Sequence, residues 1–207
     1  MKWDDKMSEA VGILGPGGPD VWHRFRGRTV GAIVLAGFGA YSMYWWTLAA
    51  IPTGRQAWFC AIAAIAAIFI VWSTTQLVLF RHVPKSNFSK QYRRFYAIRF
   101  GAILAIEVAA IILAGPVLGH FQRKDLVAQW IDVVVGLHFL PLGKLFKLPL
   151  YYATAAAILL SSLGSLLISP GSLRAATNAG GTALTLWITC FIILSKNPSF
   201  LPAKTVA

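Results

Sequence analysis

Long apolar runs separated by short polar breaks set the pattern of this chain. Six such runs stand out, over residues 30–51, 57–80, 97–118, 126–142, 148–168 and 175–194. About 20 helical residues, each rising 1.5 Å, cross a hydrocarbon layer of roughly 30 Å. Five of the runs reach that length. The fourth is shorter and carries Gln129, Asp132 and His138, so it is the weakest crossing. A chain surrounded by lipid must pair its own backbone amides and carbonyls, which in a continuous apolar run means α-helix. The expected fold class is all-α, an integral membrane bundle of six transmembrane helices with the N- and C-termini cytoplasmic. Residues 1–29 form a cytoplasmic or interfacial segment, 30–194 the membrane domain and 195–207 a cytoplasmic tail.

The breaks between runs are punctuated by turn residues. Pro52-Thr53-Gly54 separates runs one and two, and Ser169-Pro170-Gly171-Ser172 separates five and six. Connections this short predict antiparallel hairpins. The first 29 residues are interrupted by Gly15-Pro16-Gly17-Gly18-Pro19 and lack the early apolar core of a cleaved signal peptide, so the first run is expected to remain as an anchor. Ahead of that break, Trp3, Met7, Ala10 and Leu14 share one helical face, which suits a short interfacial helix or a loose terminus equally.

Composition strengthens the membrane reading. Hydrophobic residues make up 57% of the 207, and charged residues 13% against about 25% in soluble domains. The mean hydropathy is +0.64. The net charge of +12 could suggest nucleic-acid binding, but its distribution gives a simpler cause. With six crossings and the N-terminus inside, all of the 19 Lys and Arg fall on the inner side except Arg55, Arg123, Lys124 and Arg174. Cytoplasmic loops collect such residues. Dropping the fourth crossing would spread them more evenly. The densest basic patch holds Arg81, Lys85, Lys90, Arg93 and Arg94, a surface for anionic lipid headgroups on the inner side. No nucleic-acid partner is expected.

Aromatic and small residues fit the same frame. Tyr44, Trp45, Trp46 and Trp58 gather at the outer end of the first hairpin, and Tyr151 and Tyr152 near the inner start of the fifth run, positions that suit the headgroup layer. Small residues four apart, at Ala32/Ala36/Ala40, Ala63/Ala67, Ala157/Ser161/Ser165 and Ala176/Gly180, allow close helix approach in lipid. Cys60 and Cys190 lie in apolar runs and read as small hydrophobes, with neither a disulfide framework nor a metal-ligand spacing.

The candidate chemistry rests on polar groups inside the runs, where charge is costly. Glu107 sits mid-way along the third run, a proton- or cation-binding carboxyl or else a group that glues helices together. In the fourth run Gln129, Asp132 and Gly136 share a face. His138, six residues beyond Asp132, points about 120° away, so Asp132 and His138 each need a partner on another helix. Glu107 is the evident partner for one of them. Thr177, Asn178, Thr182 and Thr185 add hydroxyls and an amide to the sixth run, for helix packing or an outward vestibule. Pro141 frees the carbonyl four residues back, which predicts either a helix end or a broken helix beside His138.

The stretch Gly136-Leu137-His138-Phe139-Leu140-Pro141-Leu142 resembles one found in small, uncharacterised bacterial polytopic membrane proteins. The resemblance covers about a tenth of the chain and implies a bacterial membrane setting, with no activity attached. A phosphate-binding glycine loop, a metalloprotease helix motif and a nucleophile–base pair are all missing from the sequence, so an enzyme is the less favoured reading and no cofactor or metal is expected. Two functions remain. One is a small-solute or proton-coupled transporter whose binding groups are Glu107, Asp132, His138 and Gln129. The other is a non-catalytic membrane subunit or scaffold of a larger complex, associating with a protein partner or with further copies of itself.

Overall fold

The computed structural model describes residues 19–79, 90–146, 148–169 and 171–195. All regular structure among them is helical. Six helices follow in order: α1 (Pro19–Ala50), α2 (Arg55–Leu79), α3 (Lys90–His120), α4 (Val127–Phe146, led in by a 3-10 turn at Lys124–Leu126), α5 (Pro149–Ser165) and α6 (Ser172–Ser195). Four stretches are long and apolar enough to cross a membrane: Arg55–Leu79, Ala97–His120, Lys124–Phe146 and Ser172–Ser195. The protein is therefore a helical membrane protein with several crossings. The run that looked weakest in the sequence is among the four, because the helix continues past Pro141 to Phe146. Pro141 neither ends nor breaks it.

The turns follow from their residues. Gly54 adopts φ +69°, a left-handed conformation that a side chain would strain. Arg55, just beyond it, turns its guanidinium back onto α1, with Nε donating to the Ile51 carbonyl at 2.5 Å and Nη2 to that of Leu48 at 3.2 Å. It thereby satisfies carbonyls that the helix end leaves free. Pro149 opens α5 at a first-turn position, where its missing amide costs nothing.

Helix α6 is the hub. It packs along α1 and α5 and also reaches α4 and α2, while α3 packs chiefly against α4. The core lies where α1, α4, α5 and α6 meet, around Ala32, Ala36, Phe139, Tyr151, Ala155, Ile158, Leu186 and Cys190. Hydrogen bonds fix the register. The Thr154 and Thr189 hydroxyls pair at 2.8 Å between α5 and α6. Gln76 Nε2 donates to the Leu194 carbonyl at 3.1 Å between α2 and α6. The Cys190 thiol reaches the Ala32 carbonyl at 3.3 Å between α6 and α1.

Small residues act at particular points. The α1–α6 and α5–α6 seams are so close that a Cβ on Gly39 would collide with Trp187, and one on Gly181 with Ser161. Ala32, Ala36, Ser165, Ala176 and Gly180 are buried as their spacing suggested, Ala40 and Ser161 are half-buried, and Ala157 is exposed. Ala63 and Ala67 face outward instead, because α2 turns Ile62, Ala66 and Ser73 inward. The aromatic cluster of the first hairpin forms as expected, with Tyr44 stacked on Phe59 at 5.1 Å and Trp46 against Trp58 at 5.4 Å. Tyr151 differs from expectation: it is buried against Phe139 and Phe146, and only Tyr152 stays exposed. The segment 1–14, the basic patch from Arg81 through Lys85, and the tail lie outside the described residues. Lys90 and Arg93 fall in the first turn of α3, and Arg94 there is exposed.

Candidate functional site

Helix α4 carries two polar stations on different faces. Asp132 and His138 are six residues apart, roughly 9 Å along the axis and about 120° around it. His138 turns toward α3, where its Nδ1 lies 3.1 Å from Glu107 Oε2. Both side chains are nearly enclosed, His138 at 11% exposure and Glu107 at 10%. Nδ1 sits off the line that a hydrogen bond requires, so the contact is a close apposition of ring and carboxyl. Nearby, Trp130 Nε1 donates to the Ala110 carbonyl at 3.0 Å, a second polar tie between α4 and α3.

Asp132 turns toward α6. The Thr182 hydroxyl donates to its Oδ2 at 2.9 Å, and Asn178 is buried one turn earlier on α6. At the end nearer the α3–α4 and α5–α6 connections, Arg174 Nη1 lies 3.5 Å from Asp125 Oδ2, while its Nε holds the Ile168 carbonyl at 2.9 Å. Asp125 also pairs with Arg123 at 3.4 Å. The two α4–α6 contacts join residues 49 and 50 positions apart. A constant offset means that α4 and α6 run parallel.

Between those contacts lie Gln129 and Asn178. Gln129 is one turn past Asp125 and just before Asp132, so it shares the face they turn to α6. Asn178 stands one turn from both Arg174 and Thr182, so it faces α4. Both side chains are buried, Gln129 at 5% and Asn178 at 2% exposure. Gln129 Oε1 and Asn178 Oδ1 have no hydrogen-bond partner. Nearly all buried acceptors are paired in native structures, so two on facing positions require an explanation. Helix α5 closes the back of this layer: the Ser162 hydroxyl donates to the Gln129 carbonyl at 3.0 Å, and Gly136 lets Leu159 approach α4.

The sequence reading grouped Glu107, Asp132, His138 and Gln129 as one set, and the structure divides that set between two neighbouring helices. Glu107 and His138 come together; Asp132 and Gln129 form a separate group with α6. Asn178 and Thr182 were visible as polar positions on α6, yet their partner was not, because the sequence does not give the α4–α6 register. Thr177 and Thr185 remain local, bonding the Leu173 and Gly181 carbonyls of their own helix. Among the described residues, no three His, Cys, Asp or Glu side chains converge as a metal site.

Comparison of the chain with protein-family models, with curated proteins and with solved structures finds no match in any of the three. The reading of function rests on the geometry.

Proposed function

We propose that this protein is a small carrier of the bacterial inner membrane, crossing it six times with both ends in the cytoplasm, and that a proton or small cation moves through its two polar stations. The observation that carries this reading is the pair of unsatisfied acceptors, Gln129 Oε1 and Asn178 Oδ1, beside a carboxyl inside the bilayer. Helix adhesion alone favours closed polar pairs, since each unpaired polar atom in hydrocarbon is costly. A site that repeatedly accepts and releases a positive species needs acceptors that one of its states leaves open.

The stations stand in series. Asp132 is eight residues from Lys124 and His138 eight from Phe146, so each lies about 12 Å from its end of the Lys124–Phe146 stretch. In the six-crossing arrangement Asp132 serves the outer half and Glu107–His138 the inner half. Asp132 receives the positive species among the oxygens of α6. The Glu107 carboxyl and the His138 ring can each hold a proton, and the two groups lie 3.1 Å apart.

Reconstitution into vesicles carrying an internal pH- or cation-sensitive dye tests this. Wild-type protein is expected to pass an ion or a coupled solute. Asp132→Asn and Glu107→Gln, inserted at wild-type yield, are expected to lose that flux. Unimpaired flux in both variants refutes the reading.

One observation favours the second reading, a subunit of a larger membrane complex. Helix α3 leaves much of its apolar surface bare, including Ile98, Ile106, Ile112 and Leu113. Lipid can cover such a face, and so can a partner helix. Purification in mild detergent separates them, because a subunit brings a stoichiometric partner with it.

A further inference from the structure

We infer that Asp132, Gln129, Asn178 and Thr182 form an oxygen-lined site for a single monovalent metal cation between α4 and α6. The inference rests on the carrier reading and names the class of ion that it couples.

The donor set is specific. Asn178, one turn before Thr182 on α6, carries a buried side-chain carbonyl oxygen that has no partner. Gln129 contributes a second free carbonyl oxygen from the facing position on α4. The Asp132 carboxylate provides charge, and the Thr182 oxygen, after donating its proton to that carboxylate, retains lone pairs for a ligand. Carboxylate, amide carbonyl and hydroxyl oxygens suit hard cations, and nitrogen and sulfur ligands are absent from the group. The Glu107–His138 pair offers no such set: it has one carboxyl and a ring.

Charge selects the valence. Asp132 is the one carboxylate of the site. Asp125, about two turns away at the helix end, is already engaged by Arg174 and Arg123. A monovalent ion leaves the site neutral, whereas a divalent ion leaves a net positive charge buried in a low-dielectric layer beneath the Arg174 guanidinium. That cost is severe in hydrocarbon. The geometry is also prepared in advance: Asp125–Arg174 and Asp132–Thr182 pin the helices on either side of the open oxygens.

The test uses the purified full-length protein in detergent. Its thermal unfolding is followed in Li⁺, Na⁺ or K⁺ chloride, with choline chloride holding ionic strength constant. A saturable rise in melting temperature with at least one of the three is expected, since an ion that binds the folded state stabilises it. Gln129→Leu should weaken half-saturation at least about tenfold, the smallest loss commonly seen when even a group supporting a metal's ligands is removed. Asp132→Asn and Asn178→Leu should abolish the response, while Trp130→Phe, outside the site, should keep it. Should one of these variants fail to fold, Thr182→Val provides the remaining arm and is expected to shift half-saturation. A melting temperature indifferent to all three cations overturns the proposal. So does a response that Gln129→Leu and Asn178→Leu preserve, or an equal rise with Mg²⁺ or Ca²⁺. Proton flux in vesicles that ignores every metal cation would remove the metal site while leaving the carrier reading intact.

Discussion

Thr182 on α6 donates its hydroxyl to Asp132 on α4 at 2.9 Å, across two helices that are not consecutive in the chain. The bond joins parallel helices and fixes their relative height. Thr182→Val keeps the side-chain volume and removes the donor. Interhelical bonds of this kind are worth about 0.6 kcal/mol on average and up to about 1.7. The expected loss is near the upper end, because the carboxyl left behind is buried with fewer donors. Thr182→Ser should retain most of the stability. Unfolding of both variants in mixed micelles measures the difference, and equal stability of Val and Ser variants would contradict the assignment.

Glu107 and His138 act as a unit across the α3–α4 seam. Replacing either by Leu leaves the other polar group enclosed without its neighbour, so each single substitution should destabilise by about 1–3 kcal/mol. The double substitution should cost less than the sum of the two. A double-mutant cycle on reversible unfolding measures that coupling, expected at about 0.5 kcal/mol or more. Strict additivity would mean that the 3.1 Å apposition carries no energy.

Gly181 sits where α5 and α6 are closest. A Cβ there would strike Ser161, whose own Cβ would lie only 2.8 Å away. Gly181→Ala should therefore lower the melting temperature, by about 1–3 kcal/mol in stability terms for an overpacked seam. Pairing it with Ser161→Gly, which clears that space, should recover part of the loss. Gly37, with open space around it, provides the contrast: Gly37→Ala should be neutral or slightly stabilising. If both glycines respond alike, the helices are further apart than the structure places them.

Hydrophobic run length made the six helices legible, because lipid as solvent imposes one simple rule on backbone pairing. It was less informative about ends. Pro141 reads as a stop, yet the helix absorbs it and reaches Phe146, since losing one amide donor does not outweigh burying Leu142 and Gly143 against the core. The face arithmetic on α4 was sound: Asp132 and His138 point to different neighbours, as a six-residue spacing requires. What the sequence could not supply was which helix fills each direction. Gln129, Ser162 and Asn178 lie on three different helices, and only the packing of α4, α5 and α6 brings them into one layer. Tyr151 shows the opposite limit. Position suggested the headgroup layer, but its ring fills a gap between Phe139 and Phe146 that no sequence pattern announces.

The direction of each helix makes the crossing count itself testable. Hairpin turns and the parallel α4–α6 register place Thr53 and Ser169 at one end of the bundle with the Arg123–Asp125–Arg174 cluster, and Lys144 at the other. In the proposed six-crossing arrangement that second end faces the cytoplasm. Neither native cysteine should interfere with labelling, because Cys190 is buried and Cys60 lies on the bare apolar face of α2. Single cysteines at Thr53 and Ser169 should then react with a membrane-impermeant maleimide on intact cells. A cysteine at Lys144 should react only after the membrane is opened. Labelling of all three from outside, or of Lys144 alone, would reverse the orientation or remove a crossing. Labelling of Thr53 without Ser169 would show that α4 and α6 do not run parallel through the bilayer, and the Asp132–Thr182 bond would fall with that arrangement.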